Sequence, residues 1–205
     1  MPNTAMKSAG AKRGRPGYDQ ESVLGIAVQV FNKHGFDATS MGTLADNLGI
    51  SKSAIYHHVP SKGDLLRLAL DQALVPLEAI GEEDGALHGT AEERLEFILR
   101  STIRVLIERQ QFVTLLLRLR GNTEVERDAL ERRRAVDRKV TDLVVQAQHE
   151  GTLRGDIDPR TTTRLLFGTI NSLVEWYRPD GPVTASQVED NAIAMMLHGL
   201  HTRNG

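Results

Sequence analysis

The stretch "TLADNLGISKSAIYHHV", residues 43–59, decides how this chain is read. With Met41 just before it, Leu44, Ala45 and Leu48 fall three and four apart, the spacing of one buried helix face. Gly49 can close that helix in the left-handed conformation. Ser51 then offers an N-cap oxygen to a second helix of about two turns, which carries Ala54, Ile55 and Val59 inward. Lys52, Ser53, Tyr56 and His57 are left facing outward, all groups able to hydrogen-bond bases or phosphates. The "GIS" connection has the length used by helix-turn-helix units, whose second helix enters the major groove while the first crosses the backbone. A metal site at His57 and His58 fits poorly: adjacent helical residues point roughly 100° apart, and no carboxylate stands at ligand spacing beside them.

The flanks continue the helical pattern. Val23, Ile26, Ala27, Val30 and Phe31 form one apolar face, with Asp19 placed as an N-cap and His34-Gly35 as the stop. Ser61 and Asp64 read as a capping box opening a fourth helix, about 62–79, through Leu65, Leu66, Leu68, Ala69 and Leu74. Lys62 lies at its start, where an ammonium and open backbone N–H groups can meet a phosphate together. Residues 1–17 form a basic arm holding Lys7, Lys12, Arg13 and Arg15 and no acid. Its "KRGRPG" has two readings: a solvated, disordered arm, or one that reaches the minor groove with Arg13 and Arg15.

Composition narrows the function classes. The chain has 205 residues, 40% hydrophobic and 25% charged, ordinary values for a soluble globular protein. It contains no cysteine, which excludes disulfides, thiolate zinc sites and cysteine nucleophiles and fits a reducing cytoplasm. No apolar run approaches the roughly 20 residues of a membrane span, and the basic N-terminus lacks the apolar core of a signal peptide. The net charge of −2 is uneven, since residues 1–75 carry +2 and residues 76–205 carry −4. That distribution suits a nucleic-acid-facing head on a more neutral body.

Beyond "GEEDGALHG", residues 81–89, which read as a loop, the helices lengthen. Their predicted spans are 90–109, 110–120, 124–150, 159–177 and 184–202, with capping boxes at Thr90/Glu93 and Thr184/Gln187 and a proline-led start at Asp158-Pro159. No strand pattern or repeat stands out. The fold class is all-α: an N-terminal three-helix unit with a helix-turn-helix, and a larger C-terminal helical bundle.

Three segments carry a family resemblance: "AVQVFNKHGFDATSM" (27–41), residues 43–59, and "PSKGDLL" (60–66). Together they resemble the DNA-binding domain of TetR-family transcriptional repressors, over Tyr18 to Leu74. The resemblance implies a DNA-binding domain over 18–77, with the helix-turn-helix at about 40–59, and a ligand-binding and dimerisation domain over 78–205. It implies phosphate contacts at Thr39, Ser40 and Thr43, and DNA contacts at Ser51, Lys52, Ser53, Tyr56, His57 and Lys62. Ser53 stands where glycine is common and Val59 where phenylalanine is, mild departures that leave the assignment intact. It further implies a homodimer through helices 159–177 and 184–202, which would set two recognition helices about 34–36 Å apart on a palindromic operator.

The body would hold a small-molecule effector. Phe97, Phe112, Phe167, Asn171, Trp176 and Tyr177 are candidates to line its pocket, although each could equally be core, and Trp176 could sit in the dimer interface. Arg104, Arg118, Arg120 and Arg164 would stand at the mouth. An apolar cavity with arginines at its mouth suits a ligand with a fatty or ring-like part and phosphates, such as an acyl-CoA thioester. "LLLRLRGNTEVER" (115–127) and "SLVEWYRPDG" (172–181) also resemble a TetR subgroup that responds to CoA thioesters. Against this, Arg132, Arg133 and Arg134 read as a solvated face paired with Glu126, Asp128, Glu131 and Asp137.

No dinucleotide or P-loop glycine motif and no G-x-S-x-G nucleophile elbow occurs, so no catalytic residue, metal or cofactor is assigned. His198 and His201, three apart, are a weak metal candidate near the C-terminus. The resulting expectation is a ligand-responsive repressor. Its alternatives are an activator of the same fold, a drug-like or lipid effector, and, further off, a helical enzyme or scaffold.

Overall fold

Every regular element among residues 20–199, the span that the computed structural model describes, is helical. Four helices make the N-terminal part: α1 (Gln20–His34), α2 (Met41–Leu48), α3 (Lys52–His58) and α4 (Lys62–Ala79). A 3₁₀ turn (Ile80–Glu82) and the single-turn α5 (Asp84–Leu87) follow. The body comprises α6 (Ala91–Glu108), α7 (Gln110–Leu117), α8 (Glu124–Glu150), α9 (Pro159–Trp176) and α10 (Ala185–His198). The basic arm with Arg13 and Arg15, the proposed cap Asp19, and Leu200 and His201 lie outside the described residues.

The helix-turn-helix forms for the reasons its residues suggest. Met41, Leu44, Ala45 and Leu48 are buried, and Gly49 ends α2 at φ 65°, its N–H bonding back to Ala45 and Asp46. Ser51 Oγ accepts the Ala54 N–H at 3.2 Å and starts α3. At seven residues α3 is too short to persist alone. It is held by Ile55 and Val59, 0% and 1% exposed, each of which contributes about 1.5–3 kcal/mol by leaving water.

Two local expectations are corrected. The Ser61/Asp64 pair is only half a capping box: Ser61 Oγ accepts the Asp64 N–H at 3.0 Å, while its hydroxyl donates to the Asp64 carboxylate at 2.6 Å. Aspartate is one methylene shorter than glutamate and bonds the hydroxyl here. Complete boxes form at Thr90/Glu93, Thr123/Glu126 and Thr184/Gln187. The 81–89 "loop" is partly helical, because Ile80 and Ala86 pack into the core and Gly85 lies under the Phe97 ring, where a Cβ would clash.

Helix α4 belongs to both halves. It packs against α1 at one end and against α6, α7 and α8 further along. Arg132 of α8 clasps it, with a two-pronged bond to Glu78 (2.8 Å each) and a third to Asp71 (2.7 Å). Helix α1 is likewise buried on two sides, which explains why Leu24 and Val28 join its expected core face. Among the described residues no helix is long and apolar enough to cross a membrane, and no group of three metal-ligating side chains occurs.

Candidate DNA interface and effector cavity

The outer side of α3 is a set of polar side chains aimed away from the core. Ser51, Lys52, Ser53, Tyr56 and His57 are exposed, Tyr56 to 46%, while His58 is half-buried. Ser51 and Ser53 share a hydroxyl contact at 3.0 Å. At the start of α2, Ser40 Oγ accepts the Thr43 N–H at 3.0 Å and meets the Thr43 hydroxyl at the same distance. Both hydroxyls therefore stand at a helix N-terminus, where open N–H groups and the helix dipole favour an anion.

Two residues expected in this set turn inward. Thr39 is 2% exposed and donates its hydroxyl to the Gly35 carbonyl at 2.7 Å. The Lys62 ammonium donates to the Phe36 and Thr39 carbonyls, both at 2.9 Å, and lies 4.2 Å from the centre of the Phe36 ring. In this structure both side chains spend their polar groups on backbone carbonyls of the protein itself. Lys62 ties the start of α4 to the loop that launches α2, so it positions the interface, and a sequence motif cannot distinguish that role from a contact.

Behind the head, the body encloses an apolar chamber of about 40 Å³. Its walls come from five helices: Leu74 and Leu77 (α4), Thr102 and Leu106 (α6), Val113, Leu116 and Leu117 (α7), Val136 (α8) and Phe167 (α9). Arg133, Asp137, Phe167 and Asn171 line this chamber and also an outer cleft of about 450 Å³ between α8 and α9, so they form a neck between the two. The cleft adds Arg134, Arg138, Arg160 and Arg164, giving five arginines against the single carboxylate of Asp137. Among the described residues no carboxylate comes within salt-bridge distance of Arg133, Arg160 or Arg164, while Arg134 and Arg138 pair with Glu131. Burial pushes the Asp137 carboxyl above its ordinary range, and the nearby Arg133, Arg138 and Arg164 only partly offset this.

Of the residues expected at the cavity, Arg164, Phe167 and Asn171 line it. The others have different neighbours. Arg104 makes a two-pronged bond to Glu189 of α10 at 2.7 and 2.8 Å. Arg118 donates to the Asn32 carbonyl at 2.7 Å, joining α1 to the end of α7, and Arg120 lines a separate cleft at that junction. Phe97 packs over Gly85, Phe112 packs against the core away from the chamber, Tyr177 is buried beyond it, and Trp176 is 54% exposed. Arg133, Arg134, Arg138 and Arg160 went unassigned because each resembles an ordinary solvated arginine. Their signal was the i, i+4 spacing of Arg134/Arg138 on one helix and Arg160/Arg164 on the next.

Known proteins match both halves. Residues 23–69 match the tetR family of bacterial regulatory proteins, and residues 88–200 match the C-terminal domain of tetracyclin repressor-like proteins. The transcriptional repressor KstR2 of Mycobacterium tuberculosis is 30% identical over 191 residues, covering 89% of this chain and 92% of that protein. The crystal structure of a TetR-family member from Streptomyces coelicolor superposes with a TM-score of 0.83 at 49% identity, covering 88% of this chain and 91% of the other. That of KstR2, described as a ketosteroid transcriptional regulator, gives a TM-score of 0.76 at 26% identity, covering 96% of this chain and 100% of the other. Both halves of the chain thus match, in order, the two parts of one family, and the chain belongs to the TetR family of DNA-binding transcriptional regulators, which are not enzymes.

Proposed function

We propose that this regulator is a repressor that binds a palindromic operator as a homodimer and is released by a CoA thioester. The observation that carries the effector class is the joined pair of compartments: an apolar chamber opening through a neck into a cleft rimmed by five arginines. Phosphate oxygens are bound well by guanidinium forks, and hydrocarbon by the chamber walls. The ketosteroid regulator among the similar structures supports a lipid-derived effector.

The chamber also suggests how binding is transmitted. A single water needs at least about 10–15 Å³ of such volume, so an acyl group cannot enter about 40 Å³ without pushing the walls apart. Two of those walls, Leu74 and Leu77, belong to α4. The other end of α4 carries Lys62, gripping the loop before α2. Displacement of α4 therefore moves the start of α2 and changes the spacing of the two recognition helices. The effector favours the state with the wider chamber, the operator the other, and the two binding energies are coupled. The supporting feature for the dimer is the outer face of α9 and α10, where Leu165, Met195 and Trp176 are exposed to 62%, 65% and 54%.

The test is a gel shift of the protein on DNA flanking its own gene, repeated with a panel of acyl-CoAs. Release by a thioester that binds the protein supports the reading. A bound thioester that leaves operator affinity unchanged removes it.

A further inference from the structure

Four threonines inside the body helices follow one habit. Thr114, Thr141, Thr163 and Thr169 each donate their hydroxyl to the carbonyl four residues earlier, at 2.7, 2.8, 3.0 and 3.0 Å. Thr102 of α6 and Thr162 of α9 do not, and of these two only Thr102 lines the inner chamber. Thr102 is 6% exposed, and among the described residues its Oγ1 has no hydrogen-bond partner. Of the polar residues there, Arg133, Asp137 and Asn171 line the outer cleft as well, whereas Thr102 belongs to the chamber alone. A buried hydroxyl without a partner is destabilising, and such groups call for a specific explanation.

We infer that Thr102 reads an oxygen carried on the hydrocarbon part of the effector, so that the ligand class is a CoA thioester whose acyl group bears a hydroxyl or keto oxygen. The inference rests on the cavity being the CoA-thioester site proposed above. In that arrangement the arginine cleft takes the phosphates, and the thioester, which joins acyl group to CoA arm, lies at the neck beside Arg133 and Asn171. Only the acyl group extends past the neck, so the atom that meets Thr102 is not the thioester carbonyl. A site with a hydrogen-bonding group for a substrate oxygen rejects the analogue lacking it, because the protein group is then left unpaired.

The experiment compares pairs of CoA thioesters of equal carbon number, saturated against hydroxy- or keto-substituted at several chain positions. Binding is read by calorimetry and operator release by gel shift, for the wild type, Thr102→Val and Thr102→Ser. The wild type is expected to bind at least one oxygenated member about 10-fold or more tighter than its saturated partner. Thr102→Val, of nearly equal shape, erases that preference by weakening the oxygenated member alone, and Thr102→Ser keeps it. In the free protein, Thr102→Val raises the melting midpoint by about 2–4 °C, since an unpaired hydroxyl leaves the core. Equal affinity for both members of every pair in the wild type, or a preference that survives in Thr102→Val, overturns the role of Thr102 while leaving the effector class standing. Failure of every thioester to bind removes the effector class, and the inference with it.

Discussion

The head and the body handle polar groups in opposite ways. On α3 the side chains of Lys52, Ser53, Tyr56 and His57 project from a helix too short to hide anything, and only Ile55 and Val59 anchor it. In the body, charged groups are gathered by helices that meet over long sequence distances. Arg100 and Arg104 hold Glu189, Arg132 holds Glu78 and Asp71, and five arginines from α8 and α9 ring one cleft. A partner as large as a duplex can be met by a convex, locally coded surface. A small ligand must be surrounded, and surrounding takes several elements. The two candidate sites should therefore differ in how they fail: the head would lose contacts one side chain at a time, and the body would lose a shape.

That contrast can be broken at several points. The largest effect is expected from Tyr56→Ala, which should weaken operator binding about 10- to 100-fold by removing base or backbone contacts. Its thermal midpoint should stay put, because the side chain is half in solvent. A fall in stability of similar size, with DNA binding intact, would assign Tyr56 to the core. Next, Arg133→Ala and Arg164→Ala should each weaken CoA-thioester binding about 10-fold, measured by calorimetry, and leave effector-free operator affinity unchanged. Arg104→Ala and Arg118→Ala should leave thioester affinity unchanged, since those guanidinium groups hold α10 and α1.

Lys62→Ala sharpens the comparison because its side chain serves the head without facing outward. Loss of its two carbonyl bonds should lower both stability, by about 1–2 kcal/mol in chemical denaturation, and operator affinity. A loss of affinity alone would make it a direct contact. The smallest effect concerns Asp137. Its carboxyl is held above the usual range by burial, so its ionised form opposes folding and an anionic ligand at neutral pH. Because its folded value is the raised one, that penalty shrinks as pH falls from neutrality into the acid range. Effector affinity should accordingly rise modestly on acidification, and Asp137→Asn should bind more tightly and lose this pH dependence. Unaltered pH dependence in Asp137→Asn would point to another group.

The head was legible in the sequence because its signals are local. The cap at Ser51, the glycine at 49 and the apolar spacing in 41–59 each act within one or two turns. Even there, the inward turn of the Thr39 and Lys62 side chains was not legible, since it depends on the carbonyls of Gly35, Phe36 and Thr39 in the preceding turn. The body's helices were legible for the same local reasons, but its cavity only in part, through Arg164, Phe167 and Asn171. Arg118 and Arg120 follow an apolar run and so looked like a mouth, yet the end of α7 packs on α1. Arg133 looked like one of a solvated row, and only the approach of α9 to α8 turns it into a neck residue.

Arg132 and Arg133 are neighbours on α8, a cylinder of 27 residues and about 40 Å in length. One is locked between Glu78 and Asp71 of α4, and the other stands at the neck of the cavity. Adjacent positions on a helix are fixed about 100° apart, so neither can travel round the axis without the other. A roll of α8 that draws Arg133 toward an anion swings Arg132 through the same angle, out of its seat against α4. If the proposed effector binds there, the helix would work as a gear with two teeth, one engaged by the ligand and one by the shaft that leads to the head.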